Sequence, residues 1–252
     1  LLLSAILLAT YILPFIFGFV GLDTDTGPIA IMLYSFETLA VGLLLVPVFI
    51  NLLITAANRG EKELQTSVWF LIMGVAAYII SMIYMFFGEL ISATQMVWLA
   101  ERVAYGWVPL ALIFSVGYHI IPMSAQQPIW SGSMRTASML LLFITIPPFF
   151  MTDASGSNFL TNVGAILLTL GILPIFAVSI NLLMTASSGL SSVVKQPGAV
   201  AAVMAFLALP FFAIGGYFIA MDTFVGTGEL GTMSEVINMG MLFTVGGLVM
   251  LA

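Results

Sequence analysis

The chain is a succession of long apolar runs separated by short polar segments. A run of about 20 apolar residues is long enough to cross a bilayer as a helix. Such runs lie at residues 2–21, 29–57, 67–90, 98–122, 136–152, 160–187, 198–221 and 233–252. They lack the period-two alternation of a membrane β-barrel. The pattern predicts an all-α, polytopic transmembrane helix bundle of about eight spans, forming a single domain over residues 1–252.

Composition supports a lipid environment. Of the 252 residues, 62% are hydrophobic and only 6% are charged, whereas soluble domains carry about 25% charged residues. A soluble globule is therefore excluded, and the expected first partner is the lipid bilayer. The net charge of −6 argues against nucleic acid as a partner. The chain has no cysteine, which excludes disulfides and thiolate metal sites. Because it begins at Leu1, it can be part of a longer product.

Basic residues mark the loops on one side of the predicted bundle. Arg59 and Lys62 follow the second run, Arg135 lies between the fourth and fifth, and Lys195 between the sixth and seventh. The loops that alternate with these carry only acids, namely Asp23, Asp25, Glu89, Asp153, Asp222, Glu229 and Glu235. The positive-inside rule then places both termini in the cytoplasm. We expect an integral protein of a prokaryotic plasma membrane.

Apart from Glu89 and Glu235 at the run ends, three charged residues fall inside the apolar runs. Glu37 lies well within the second run, where a carboxylate is costly and must face protein or water. It is equally a proton-relay candidate and a partner for another helix. Glu101 and Arg102 begin the fourth run. Adjacent helical residues diverge by about 100°, so a structural role for this pair, such as reaching the headgroups, is favoured over a substrate site.

His119 is the only histidine and follows Tyr118 near the end of the fourth run. A single histidine cannot form a bis-histidine haem site or a three-histidine copper site. The favoured interpretation is an interfacial histidine, and the alternatives are a proton relay, with Tyr118 beside it, or an axial ligand.

Four pieces of the sequence resemble subunit I of the haem-copper oxygen reductases, a superfamily that also contains nitric oxide reductases. The pieces are Tyr118–Pro122 followed by Ile129-Trp130-Ser131, Gly171–Pro174 continuing to Asn181 and Thr185, Phe211–Gly216, and Thr232 followed by Gly246. The loop Asn58–Lys62 is similar to a basic cytoplasmic loop of that family. The resemblance implies that the eight runs are equivalent to helices three to ten of subunit I.

The positions that hold metal ligands in that family carry other residues here. In the register of the resemblance, the copper histidine pair is replaced by Phe149 and Phe150, and the haem histidines by Asn238 and Gly240. None of these side chains is a haem or copper ligand of that kind. We therefore expect no catalytic residue, no metal site and no cofactor in this chain.

The resemblance implies an accessory or scaffold subunit of a respiratory, electron-transport complex. Haem and copper would belong to partner subunits, namely a true oxidase subunit I and a cupredoxin-like subunit II, and the chain would not be catalytic by itself. A proton or quinone pathway is a further expectation. The alternative is an eight-span secondary transporter or proton channel that uses Glu37 and Glu101.

Overall fold

The computed structural model describes residues 28–60, 64–91, 96–97, 100, 103–145, 166, 169–225 and 244–252. Within these residues every regular element is a helix. The helices are α1 (Pro28–Ala57), α2 (Thr66–Leu90), a π-helical turn (Val103–Trp107) that leads directly into α3 (Val108–Ala125), α4 (Gly132–Thr145), α5 (Ile172–Ser188), α6 (Leu190–Val193) and α7 (Pro197–Val225). The predicted all-α class is confirmed for the described part of the chain.

Four helices are long and apolar enough to cross a membrane. The stretches that qualify are Leu39–Ala57, Thr66–Gly88, Val108–Ala125 and Pro197–Gly215. Two shorter apolar helices cover Gly132–Ile144 and Ile172–Ser188. These helices indicate an integral membrane protein, and they coincide with six of the eight predicted runs. The run at 2–21 lies outside the described residues, and the last run is described only from residue 244, so eight spans stay a prediction.

Prolines account for local features of three helices. Pro47, Pro122 and Pro210 lie inside α1, α3 and α7, where each removes one backbone hydrogen bond and favours a kink. The π-helical turn comes just before Pro109, which cannot donate to a carbonyl one turn earlier. A wider π turn accommodates that missing bond. Helix α7 begins at Pro197, a first-turn position where no such bond is needed.

The chain divides into two compact units. The first unit comprises the described residues that fall within 1–62 and 72–108. Its buried cluster is formed by Met82, Met85, Ala100 and Ala104, with Val41 and Tyr78 packed against it. Gly42 lies so close to Met82 that an added Cβ would be 3.0 Å from the Met82 Cβ. A small residue at this position therefore lets α1 and α2 approach each other.

The second unit comprises the described residues that fall within 63–71 and 109–252. In it, α5 packs against both α4 and α7. The residues with the largest fully buried side chains include Phe70, Phe114, Ile175, Leu182, Phe206, Leu209 and Phe212. Phe70, at the start of α2, stacks on Tyr118 with ring centroids 5.8 Å apart and meets Phe114 edge to face. Ser115 donates to the carbonyl oxygen of Ser67 at 2.7 Å, which fixes α3 against the same end of α2.

Two glycines of the second unit stand where helices meet closely. An added Cβ on Gly117 would run into the ring of Phe206 and lie 2.8 Å from Leu182 Cδ1. An added Cβ on Gly189 would run into the backbone of Ala125. Neither position has room for a side chain, so these glycines set the spacing of α3 from α7 and of α3 from the end of α5.

Candidate functional site

A buried polar cluster lies in the second unit, where α3, α4 and α5 meet. We call it the Asn181 cluster, and it consists of Tyr118, Ser131, Ser138, Asn181 and Thr185. Asn181 and Thr185 are completely buried and Tyr118 is 5% exposed. Polar side chains buried this deeply need hydrogen-bond partners, because unmet donors and acceptors are costly away from water.

Asn181 uses both ends of its amide. Its nitrogen donates to the hydroxyl oxygen of Tyr118 at 3.2 Å and to the carbonyl oxygen of Ser131 at 3.0 Å. Its side-chain oxygen accepts the backbone N–H of Ser131 at 2.9 Å. Ser131 thus presents both a donor and an acceptor, and this pattern fixes the orientation of the amide. One side chain of α5 thereby holds the segment that leads into α4.

Thr185 and Ser131 extend the same arrangement. The hydroxyl of Thr185 accepts the backbone N–H of Trp130 at 3.0 Å and donates to the carbonyl of Asn181 at 2.7 Å. The hydroxyl of Ser131 accepts the N–H of Met134 at 3.2 Å. Ser131 is therefore the N-cap of α4 as well as the partner of Asn181. The turn before α4 is therefore held by hydrogen bonds to α5 and by the N-cap hydrogen bond of Ser131.

Tyr118 connects this turn to the interior of α4. Its side chain is hydrogen-bonded to Ser138 as well as to Asn181, and it lies near the charge of Arg135. The Ser138 hydroxyl also donates to the carbonyl oxygen of Arg135 at 2.8 Å. The cluster can therefore align three helices. Within the described residues it presents hydroxyl and amide groups rather than an acid–base pair.

The second helix with the same Asn-x-x-x-Thr spacing uses it differently. On α1, the hydroxyl of Thr55 donates to the side-chain oxygen of Asn51 at 3.4 Å, and both residues are exposed. The ends of α1 and α5 are therefore similar in sequence but differ in environment. Only the α5 pair is buried against another segment.

The predicted site residues are not all brought together. Tyr118 is buried in the Asn181 cluster, whereas His119 is exposed, as successive positions on a helix diverge. Glu37 lies on α1, but its side chain is outside the described part. Glu101, Arg102, Phe149, Phe150, Asn238 and Gly240 also lie outside the described residues. Within the described part, no group of three or more His, Cys, Asp or Glu residues could hold a metal ion.

A second feature is an open cleft between the start of α2 and one face of α4, which we call the Arg135 cleft. Its volume is about 260 Å³, and it is lined by Leu64, Thr66, Trp69, Arg135, Thr136, Met139, Leu140 and Phe143. Trp69 and Phe143 meet edge to face across it, with centroids 5.4 Å apart. The cleft lies on one side of α4, and the residues of the Asn181 cluster do not line it.

No family model matches the chain, and no curated protein matches it either. The site must therefore be interpreted from its own geometry.

Sequence reasoning did not single out Asn181, Ser131 or Ser138 as site residues, although Asn181 and Thr185 belong to a piece of the family resemblance. A polar residue inside an apolar run was an available signal, since such residues need an internal partner. The partner itself could not be predicted, because Ser131 lies 50 positions away in the sequence.

Proposed function

We propose that this chain is a non-catalytic membrane subunit, similar to subunit I of the haem-copper oxygen reductases, that serves as a scaffold in a respiratory complex. The observation that carries the proposal is the Asn181 cluster. Tyr118 and Ser131 come from one piece of the resemblance, and Asn181 and Thr185 come from another. Two pieces that resemble the family in sequence are thus joined by direct hydrogen bonds.

The proposed role follows from what the cluster and the helices offer. Hydroxyl and amide groups hold α3, α4 and α5 in register, which suits a rigid scaffold. Many large apolar side chains point outward from the described helices, including Leu43 and Ile54 of α1 and Leu140 and Ile144 of α4. In a membrane such surfaces face lipid or other helices. The partners we propose are a true oxidase subunit I and a cupredoxin-like subunit II, which would hold the haem and copper.

The proposed orientation places both termini in the cytoplasm of a prokaryotic cell. Arg59, Arg135 and Lys195 then lie on the cytoplasmic side. A proton or quinone pathway is a secondary part of the proposal, and its candidate residues are Glu37, Tyr118 and His119. Of these, Tyr118 has buried hydrogen-bond partners and His119 faces outward, so a path that used both would have to turn around α3.

Co-purification tests the proposal. The chain carries an affinity tag in its native membrane, is extracted in mild detergent, and is analysed by mass spectrometry and visible absorbance. We expect haem-copper oxidase subunits in stoichiometric amounts, with haem absorbance that accompanies the partner and survives His119→Ala. Asn181→Leu should weaken the association, whereas Asn51→Leu, at the exposed pair, should leave it unchanged.

Two outcomes would overturn the proposal. A chain that purifies alone with stoichiometric haem, lost on His119→Ala, would be a haem protein in its own right. A chain that purifies alone without haem, and whose proton or substrate flux in liposomes collapses on Glu37→Gln, would be a transporter.

A further inference from the structure

The Arg135 cleft combines a cation with an apolar floor. Arg135 and Thr136 lie in the first turns of α4, and Thr66 lies at the first turn of α2. Met139, Leu140 and Phe143 continue along α4 away from these polar groups. The cleft is thus polar at the helix starts and apolar further along, which is the polarity of a lipid molecule at a membrane interface.

The positive charge of Arg135 is available to a ligand. Within the described residues, its guanidinium forms no hydrogen bond or ion pair, whereas its backbone N–H donates to Ser131 and its carbonyl oxygen accepts the Ser138 hydroxyl. No acidic residue lines the cleft among the residues described. A cation in the first turns of a helix opposes the helix dipole. Arg135 therefore does not stabilise α4, whereas a bound anion would be attracted by both the guanidinium and the helix start.

The size of the cleft limits what it can hold. Pockets that enclose an entire small molecule measure roughly 300–1,000 Å³, and the Arg135 cleft measures about 260 Å³ and is open. It therefore suits one part of a longer molecule. The remainder has an apolar surface to follow, because Leu140, Phe143 and Ile144 of α4 are 59%, 50% and 63% exposed.

We propose that the Arg135 cleft binds one anionic phospholipid, with its phosphate at Arg135 and an acyl chain along Leu140, Phe143 and Ile144. Trp69 forms the wall beside the glycerol region, as tryptophans do at membrane interfaces. The Thr136 hydroxyl, which donates to the carbonyl of Gly132, keeps lone pairs for headgroup hydroxyls. This inference does not depend on the proposed scaffold function.

The test uses quenching of tryptophan fluorescence by lipids with brominated acyl chains. The full chain is reconstituted into phosphatidylcholine vesicles that contain increasing fractions of brominated phosphatidylglycerol, or of brominated phosphatidylcholine. The fluorescence of Trp69 is obtained as the difference between the emission of the native chain and that of Trp69→Phe. We expect brominated phosphatidylglycerol to quench the Trp69 fluorescence with about tenfold preference over brominated phosphatidylcholine. A difference of this size is typical of charge-assisted hydrogen bonds.

Matched variants separate a built site from general attraction. Arg135→Gln should abolish the preference and Arg135→Lys should keep part of it, because a lysine retains the charge but not the paired donors. Lys195→Gln removes an equivalent charge from an exposed position that does not line the cleft, and should change nothing. Thermal unfolding of Arg135→Gln should match the native chain, which shows that the variant folds.

The proposal is overturned by equal quenching from the two lipids, or by a preference that survives Arg135→Gln. It is also overturned if Lys195→Gln reduces the preference as much as Arg135→Gln does. That result would mean that the lipid responds to the overall charge of this side of the protein and not to the cleft.

Discussion

The side-chain nitrogen of Asn181 lies 3.2 Å from the hydroxyl oxygen of Tyr118, which joins α5 to α3 across 63 positions of sequence. The same amide holds Ser131 by two further hydrogen bonds. Because all three bonds depend on one side chain, the loss of Asn181 should weaken the contacts of α5 with both α3 and the turn before α4.

We expect Asn181→Leu to lower the free energy of unfolding by about 2–3 kcal/mol, since it leaves the backbone N–H and carbonyl of Ser131 without their partner and removes one of the two partners of Tyr118. The matched control is Asn51→Leu, which removes the amide of the exposed pair on α1 and should cost less than about 0.5 kcal/mol. Both are measured by reversible unfolding in detergent. Equal losses for the two variants would mean that the buried hydrogen bonds contribute little.

The helices and the Asn181 cluster differ in how far the sequence predicts them. The helices were predictable, because apolar runs such as 29–57 and 67–90 must satisfy their backbone groups internally in lipid; the structure has helices at Pro28–Ala57 and Thr66–Leu90. The Asn181 cluster was not, because two Asn-x-x-x-Thr pairs of the same local sequence have different environments. Which pair is buried depends on the packing of α4 against α5, a long-range property.

Ser131 should contribute through its cap as well as through Asn181. Its hydroxyl accepts the N–H of Met134, and the loss of such a cap typically costs about 1 kcal/mol. We expect Ser131→Ala to destabilise the second unit by that amount, and Ser131→Asp to restore most of it, since a carboxylate caps well and suits a helix start. Unfolding measurements that find Ser131→Asp no better than Ser131→Ala would show that the cap is unimportant.

Gly117 should be intolerant of even one methyl group. An added Cβ would overlap the Phe206 ring, which is fully buried. We expect Gly117→Ala to cost on the order of 1–3 kcal/mol. Adding Phe206→Leu should recover part of that loss, because the two substitutions affect one contact and are not additive.

The matched control for Gly117 is Gly247, a helical glycine near which no atom would meet an added Cβ within 4 Å. Gly247→Ala should leave stability unchanged or raise it by about 0.5–1 kcal/mol through helix propensity. If the two alanine variants unfold at the same temperature, the close approach of α3 and α7 is not a constraint on position 117.

The orientation can be tested directly, because a chain without cysteine has no background reaction with maleimides. Ser133 lies in the first turn of α4 and Ser191 lies on α6, and both are exposed. The hydrogen bonds that Trp130 and Ser131 donate to side chains near the end of α5 place Ser133 and Ser191 at the same end of the second unit. Asp222 lies near the other end of α7, whose 29 residues extend about 44 Å, more than the roughly 30 Å of the hydrocarbon core.

We therefore expect Ser133→Cys and Ser191→Cys to react with a membrane-impermeant maleimide in inside-out vesicles, and Asp222→Cys to react in intact cells. This pattern follows from the positive-inside rule, because Arg135 and Lys195 lie beside the first two positions. Labelling of Ser133→Cys and Ser191→Cys from opposite sides would contradict the shared end seen in the second unit. Labelling of both from outside would leave the fold intact and reverse the proposed orientation.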